Sequence, residues 1–586
     1  MFDNPTLYIP TWKRTTQGQS GGANSNPNAR PGSRTHTRQS IQSSLSLRNY
    51  RPSVDAMTPQ DWGLPEKFAK WRPYQFEAVL HGVESPKRFR VPIAPVGFGK
   101  SLVYMGQSTL TPETHGGRVA ILTGTKGLQN QLMDDFSSMG LVDVRGRANY
   151  QCSMAGPDSG LTCEDGANCG CPHRRTDRCT ARRAYNAAVR APIITTNYTY
   201  WMLQHLHGEG LGAFDMLICD EGHNAPDEVA ALMEVYITER EMGMLHARFL
   251  KSTATIDEWR AWAGGLISKA NENVEYMRAQ IEGRRSVSNT ILRQLTQAIN
   301  LQRKLESLSQ SQGTWIVDQT KYGYAFNPLW SGPDTERLLF LGIEVVIITS
   351  ATLNYKTLQL LDLDPDQYDL RSYPSCFDPR RVQIRWVPTC RVDARMGEYE
   401  RFQLHARIGD LLRNFHDRNG LIQPPSYILG EQIYDAARVY QDRILFSRSG
   451  SETASSVARF KEMAGHPPLA LMSPAITTGY DFPLLEAEYN IIPKIPFPPI
   501  QSKIMKARQE ADPDYRDHLT SITLAQMCGR TARTPDCISQ TLILDDHAEY
   551  FIPRALKRGL LAPWFKTFYD VCRNGVPSPL PKLLIK

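Results

Sequence analysis

Ala94-Pro-Val-Gly97-Phe-Gly99-Lys100-Ser101 is the stretch whose reading decides the fold. An apolar run, Phe89–Ala94, precedes it, and an amphipathic, helix-prone run follows. Strand, glycine-rich turn and helix in that order make a phosphate cradle. Gly97 and Gly99 let backbone N–H groups approach phosphate oxygens, and the helix N-terminus adds partial positive charge. Lys100 would reach the β- and γ-phosphates of a nucleoside triphosphate, and the Ser101 hydroxyl would ligate magnesium. The usual pattern opens on glycine, whereas this one opens on Ala94.

Downstream, further short apolar runs alternate with helix-prone stretches: Val119–Thr123, Ala191–Thr195, Met216–Cys219 and Val345–Thr349. Alternation of this kind predicts a parallel α/β sheet. The run Leu217-Ile-Cys-Asp220-Glu221-Gly222-His223 ends in two carboxylates where such sheets hold their ligands, at the carboxyl ends of the strands. Asp220 is expected to hold magnesium, and Glu221 to orient or deprotonate an attacking water. A second α/β region begins near Phe377, with strands expected at Tyr427–Leu429, Leu469–Ser473, Tyr489–Ile492 and Thr541–Leu544. It carries Gln526-Met-Cys-Gly529-Arg530-Thr-Ala-Arg533, whose two arginines at a spacing of three share a helical face. Arginines brought to a γ-phosphate from a second lobe stabilise transition-state charge.

With 586 residues the chain is long enough for several domains, and 41% hydrophobic with 22% charged residues is the balance of a globular protein. A net charge of +7 permits a nucleic-acid partner without demanding one. The most apolar run, Leu338–Leu353, contains Glu344 and is too short for a membrane span. The N-terminus lacks an apolar signal core, so a cytoplasmic or nucleoid-associated, non-secreted protein is expected. Residues 1–55 are rich in Ser, Gly, Asn, Gln, Thr, Arg and Pro and read as a disordered basic tail. Residues 226–335 read as a helical insertion. Of 11 cysteines, five crowd into one window: Cys152, Cys163, Cys169, Cys171 and Cys179. Such crowding suggests a metal site.

Taken together these motifs resemble those of the superfamily-2 helicases. Ala94–Ser101 resembles motif I, Asp220–His223 the Asp-Glu-Ala-His box with glycine for alanine, and Ser350-Ala351-Thr352 motif III. Thr477-Thr478-Gly479-Tyr480-Asp481-Phe482 resembles motif V, and Gln526–Arg533 motif VI. Arg72 and Gln75 are placed as in adenine-sensing Q-type motifs. A narrower resemblance is to the XPD/DinG-like iron–sulfur DNA helicases. It rests on Gly146-Arg147-Ala-Asn149-Tyr150-Gln-Cys152, Cys179-Thr-Ala-Arg-Arg-Ala-Tyr185, Thr196-Asn197-Tyr198 and Ser375-Cys-Phe377-Asp378.

The resemblance implies two RecA-like parallel-sheet motor lobes. Lobe one would comprise residues 56–225 and 336–370, with a metal-cluster insert (146–185) and a helical, arch-like insert (226–335). Lobe two would comprise 371–586. ATP and Mg²⁺ would bind between the lobes, with Arg72, Gln75, Ala94, Gly97, Gly99, Lys100, Ser101, Asp220, Glu221, Gly479, Asp481 and Gln526 around them. Lys100, Glu221, Arg530 and Arg533 would carry the chemistry. Cys152 and Cys179 would be the first and last ligands of a [4Fe–4S] cluster, with Cys163 and Cys171 between them and Cys169 the alternative to Cys171. Structural zinc and unmetallated thiols stay open as rivals. Arg174, Arg175, Arg178, Arg182, Arg183 and Arg190 surround the last ligand and would track a phosphate backbone. Tyr150, Tyr198, Tyr200 and Trp201 are candidates for base stacking, with core packing expected for at least two of them. The implied activity is ATP-driven translocation on single-stranded DNA, 5′→3′, with unwinding of forked duplex by a monomeric motor, in a DNA-repair setting. The alternatives are a translocase or remodeller that does not unwind, and a zinc-stabilised helicase-like binding protein.

Overall fold

The computed structural model describes residues 57–109, 117–153, 160–164, 171–280, 289–463, 467–477, 479–573, 575 and 577–581. The tail expected over 1–55, Cys169 and Thr478 lie outside these.

Two seven-stranded sheets dominate, and every pairing within each is parallel. The first has the order β10-β1-β9-β5-β2-β4-β3. Its strands are β1 (Phe89–Ile93), β2 (Val119–Thr123), β3 (Leu141–Asp143), β4 (Ile193–Asn197), β5 (Met216–Asp220), β9 (Val345–Thr349) and β10 (Tyr368–Ser372). β1, β2, β5 and β9 are buried at every residue. That pattern needs helices on both faces, which explains the continuous apolar runs in place of alternation. β10 reaches Ser372, two residues past the lobe boundary drawn from the sequence.

The second sheet has the order β13-β14-β12-β15-β16-β11-β17. Its strands are β11 (Val382–Cys390), β12 (Gly420–Ile422), β13 (Ile444–Phe446), β14 (Ala470–Met472), β15 (Tyr489–Ile492), β16 (Ser539–Asp545) and β17 (Tyr569–Val571). Tyr427–Leu429, expected as a strand, instead opens the helix Tyr427–Ala436. Ser426 is its N-cap and accepts from the Leu429 N–H at 3.3 Å, which starts a helix despite the apolar, strand-like composition.

Between β5 and β9 runs the insert expected to be helical. It holds an antiparallel pair of long helices, Ile256–Ala279 and Asn289–Gln310. Thr255 and Glu258 form a capping box at the start of the first. It also contains something periodicity did not show: a three-stranded antiparallel sheet, ordered β6-β8-β7, from Val235–Thr238, Gly323–Pro328 and Trp315–Thr320. Sheet and hairpin share a core of their own around Trp259, Leu301, Leu305 and Phe326.

Each sheet has apolar clusters of its own, and the two also share one. One continuous apolar cluster runs from Val91, Leu217 and Val346 in the first sheet to Ile492, Leu524, Ile543 and Trp564 in the second region. Among the described residues no helix is long and apolar enough to cross a membrane.

Candidate nucleotide site

The phosphate-loop reading rests on backbone geometry that only glycine supplies cheaply. Gly97 has φ 70° and Gly99 φ 81°. Space is as demanding as torsion: a Cβ on Gly97 would lie 2.2 Å from Phe377 Cζ, and one on Gly99 would lie 2.5 Å from Gln75 Nε2. Ala94 keeps a negative φ and is buried, so the missing first glycine leaves no strain there. Gly99 is the N-cap of the helix Lys100–Ser108, which leaves that helix's first N–H groups facing the loop. Arg72 and Gln75 brace the loop from behind. Arg72 donates to the Gly97 carbonyl at 2.6 Å, and Gln75 Nε2 donates to the Phe98 carbonyl at 2.6 Å.

The end of β5 delivers both acids. Lys100 Nζ lies 3.7 Å from Glu221 Oε1. Tyr104, fully buried one turn beyond Ser101, donates toward both Ser101 Oγ and Asp220 Oδ2, each at 3.2 Å. Sequence reading missed this tyrosine; its only signal was an i+3 position after Ser101. Tyr198 donates to the Asp220 carbonyl at 2.8 Å. Glu221 sits at φ 49°, a left-handed conformation costly for this residue and of the kind that collects at functional sites. Burial and the neighbouring Glu221 charge raise the Asp220 carboxyl to about 6. Burial pushes Glu221 up too, but Lys100, His223, Ser350 and Arg530 outweigh it and hold that carboxyl below its ordinary value. Of the two carboxyls, Glu221, beside the lysine, is therefore the one that ionises first as pH rises.

From Glu221 a hydrogen-bonded chain crosses to the second sheet region. Ser350 Oγ donates to Glu221 Oε2 at 3.1 Å, and His223 Nδ1 meets Ser350 Oγ at 2.7 Å. His223 Nε2 meets Gln526 Nε2 at 2.7 Å, across 303 residues of sequence. Burial lowers the His223 pKa, so the ring is neutral at pH 7. A neutral ring accepting at Nε2 from Gln526 carries its proton on Nδ1 and donates it to Ser350. Gly222, in place of alanine, is not incidental: a Cβ there would lie 2.4 Å from Ile348 Cγ2.

The arginine helix end abuts the loop. A Cβ on Gly529 would lie 2.7 Å from Val96 Cγ2, and the Arg533 carbonyl is 3.0 Å from a Cβ built on Gly97. Arg530 donates to the Tyr480 carbonyl at 2.6 Å and to the Gln526 carbonyl at 3.2 Å. Burial, with Arg533 beside it, pushes its pKa down to about 10, so it keeps its charge at neutral pH. Asp481 lies 2.5 Å from Arg533 Nη2 and 3.6 Å from Arg530 Nη1. Gly479, at φ 81°, has open space around it. Lysine, serine, both acids, histidine and Arg530 thus converge, while Arg533 and Asp481 neutralise each other at the rim.

Residues 411–558 match the family model described as Helicase C-terminal domain. No curated protein matches the sequence. A solved structure titled XPD_Helicase superposes with a TM-score of 0.55 at 15% identity, covering 87% of this chain and 99% of that one. One titled XPD_APO gives 0.52 at 13%, covering 85% and 99%. The Xpd4 structure from S. tokodaii gives 0.51 at 13%, covering 86% and 100%. This chain has the XPD-helicase fold. Within it, the Gly97–Lys100 loop lies beside the helix end that carries Gly529 and Arg533.

Four cysteines of the expected metal window are described: Cys152, Cys163, Cys171 and Cys179. In its described parts between 160 and 179, only Cys163, Cys171 and Cys179 are buried. Cys152 is buried as well, and its segment pairs with that of Cys163: Cys152 N–H bonds the Leu161 carbonyl at 2.9 Å, and Cys163 N–H the Tyr150 carbonyl at 2.7 Å. Cys163 and Cys179 have their sulfurs 3.8 Å apart. Among the described residues no three His, Cys, Asp or Glu side chains gather as a group able to hold one ion. Arg174, Arg175, Arg178, Arg183 and Arg190 are exposed, and Arg182 pairs with Glu209 at 2.7 Å. Of the stacking candidates, Tyr198 and Trp201 are wholly buried in the core, the packing role expected for at least two of the four. Tyr150 and Tyr200 are half-buried.

Proposed function

We propose that the chain is an ATP-driven helicase that translocates on single-stranded DNA. The observation that carries the reading is the chain of hydrogen bonds from Glu221 through Ser350 and His223 to Gln526. It ties the hydrolytic carboxylate of one lobe to the helix of the other lobe that ends in Arg530 and Arg533.

In this reading ATP lies between the lobes, on the Gly97–Ser101 backbone. Lys100 contacts the β- and γ-phosphates, and Ser101 and Asp220 hold Mg²⁺. Glu221, freed from Lys100 by the phosphates, orients the water. Arg530 and Arg533 stabilise the γ-phosphate charge, worth ~10³–10⁵ in rate for arginines in this role. Arg533 must first leave Asp481. The ordered protons of Ser350 and His223 let loss of γ-phosphate at Glu221 be felt at Gln526. The lobes then shift their grip along one strand.

Burial of Cys152, Cys163, Cys171 and Cys179 beside mostly exposed described neighbours supports a thiolate-bound metal centre, which would draw together four side chains that do not gather as one group without it. Cys152, Cys163, Cys171 and Cys179 would hold it, and a [4Fe–4S] cluster there would fix the insert's shape. The 3.8 Å pair favours zinc as the second reading, since it matches the edge of a tetrahedron with arms of about 2.3 Å. Anaerobic purification with iron and zinc quantification separates the two: a colourless protein with one zinc removes the iron–sulfur reading and leaves the motor.

The test of the motor is DNA-stimulated ATP hydrolysis and fork unwinding in wild type, Lys100→Ala and Arg530→Ala. Wild type is expected to hydrolyse and unwind, and each variant to lose at least ~10³-fold in hydrolysis rate. A wild type that binds ATP without hydrolysing it sinks the reading. One that hydrolyses and displaces bound protein without opening duplex shifts it to a translocase.

A further inference from the structure

The helix Lys503–Ala511 belongs to the second sheet region, between Asp481 and Arg530 in sequence, yet it packs against the insert that grows out of the first. Arg508 donates through Nε to the Leu329 carbonyl at 3.0 Å and through Nη2 to the Pro328 carbonyl at 3.4 Å. These are the residues where β8 ends and the chain turns back from the insert toward β9. Arg508 Nη1 also donates to Tyr515 Oη at 2.9 Å, and its guanidinium lies over the rings of Trp330 and Tyr515 at 5.8 and 5.6 Å. The two rings meet edge to face at 5.4 Å. One turn earlier, Lys503 donates to the Val317 carbonyl of β7 at 3.2 Å and lies 4.0 Å from Asp318. β7 is an edge strand, so Lys503 occupies backbone that has no strand beside it. Just past the helix, Asp512 pairs with Lys356 at 3.0 Å, four residues after Thr352.

Two points of attachment on a unit with its own hydrophobic core make a mechanical linkage. The insert's outgoing limb begins at Ala225, two residues beyond His223, and its return limb leads into β9 and Ser350. The 503–512 segment therefore grips the insert at its base and at the same time holds Lys356, in the helix that follows the Ser350–Thr352 loop. We propose that this segment is a clasp that carries the insert with the second lobe, so that nucleotide-driven lobe movement repositions the helical hairpin against the first lobe. Arg508 and Lys503 are its positioning residues. The proposal rests on the motor reading above, because it needs nucleotide to move the lobes.

The experiment places a fluorophore pair through non-natural amino acids at two exposed positions, Tyr276 in the hairpin and Glu84 in the first lobe, in the full chain. Energy transfer is read without nucleotide and with ADP–beryllium fluoride, alongside nucleotide affinity. Wild type is expected to show a shift on adding the analogue. In Arg508→Ala the shift is lost while the analogue still binds with wild-type affinity. Lys503→Met, at a half-exposed position that folding tolerates, gives a reduced shift and guards against misfolding of the first variant. A shift of equal size in wild type and both variants overturns the clasp, as does a wild type that binds the analogue and shows none. A wild type that fails to bind nucleotide overturns the motor reading itself.

Discussion

Gly222 shows how much a single missing methyl group decides. It follows Glu221, whose own backbone is left-handed, and it lies against Ile348 of β9 with no room for a Cβ. Ile348 is wholly buried and branched at Cβ, so it cannot swing aside. Gly222→Ala is expected to cost about 1–3 kcal/mol, the usual toll of overpacking, measured by denaturant unfolding. In an Ile348→Ala background, which removes Cγ2, Gly222→Ala should cost less; an undiminished cost would mean that the strain lies elsewhere. His518 makes a second residue-level case. It is buried between the lobes with Nδ1 unpartnered among the described residues. Burial first, then Lys356 and His223, push its pKa down to about 3. A pKa lower in the folded state than the unfolded 6.5 gives stability that is full above about pH 6.5 and is lost as pH falls toward 3. The loss approaches about 1.4 kcal/mol per pH unit within that window. His518→Gln should flatten unfolding free energy against pH between 6.5 and 4; an unchanged slope would clear His518 as the source.

At the scale of elements, the proposed metal is what would hold the cysteine window together. Its residues between 171 and 178 are mostly exposed, so apolar burial contributes little to holding the loops. Stripping metal under reducing conditions is expected to make residues 146–185 labile to protease while the 57–109 and 382–571 regions stay protected, as limited proteolysis with mass spectrometry would show. Equal protection before and after chelation would mean that the window needs no metal. Elements were also where reading from sequence succeeded unevenly. Fully buried strands such as Val119–Thr123 and Val345–Thr349 announce themselves, because both faces must be apolar. Three-residue strands such as Leu141–Asp143 and Ile444–Phe446 do not, since three residues carry no period. Tyr427–Leu429 misled because composition favoured a strand and the Ser426 cap decided for a helix. The small sheet at the base of the insert stayed hidden because β6 lies far in sequence from its partner β8, and the helices between them carry strong periodicity. The candidate nucleotide site is drawn from features that sequence displays more openly than it displays the fold around them. Glycine torsions and strand-end acids leave marks in sequence, whereas Tyr104 and the clasp residues Arg508 and Lys503 carry no local signature.

For the whole molecule, the shared core has a thermodynamic consequence. Trp564 Nε1 donates to the Ala351 carbonyl at 2.6 Å, and Asn354 Nδ2 to the Leu560 carbonyl at 2.8 Å, within the apolar cluster that spans both sheets. Calorimetry is expected to show the two lobes melting in one cooperative transition. Trp564→Ala should lower that transition by about 3–5 kcal/mol and split it in two. Two resolved transitions in the wild type would show that the lobes are independent.

The bond between His223 and Gln526 also sets a schedule for synthesis, because its partners are 303 residues apart. At the ~5–20 residues per second of protein synthesis, the early half of the pocket waits roughly 15–60 s on the ribosome before its counterpart emerges. During that wait the apolar flank that Ile492, Leu524 and Trp564 will cover stands bare. A nascent chain stalled in that interval is the form of this protein that would most need a chaperone.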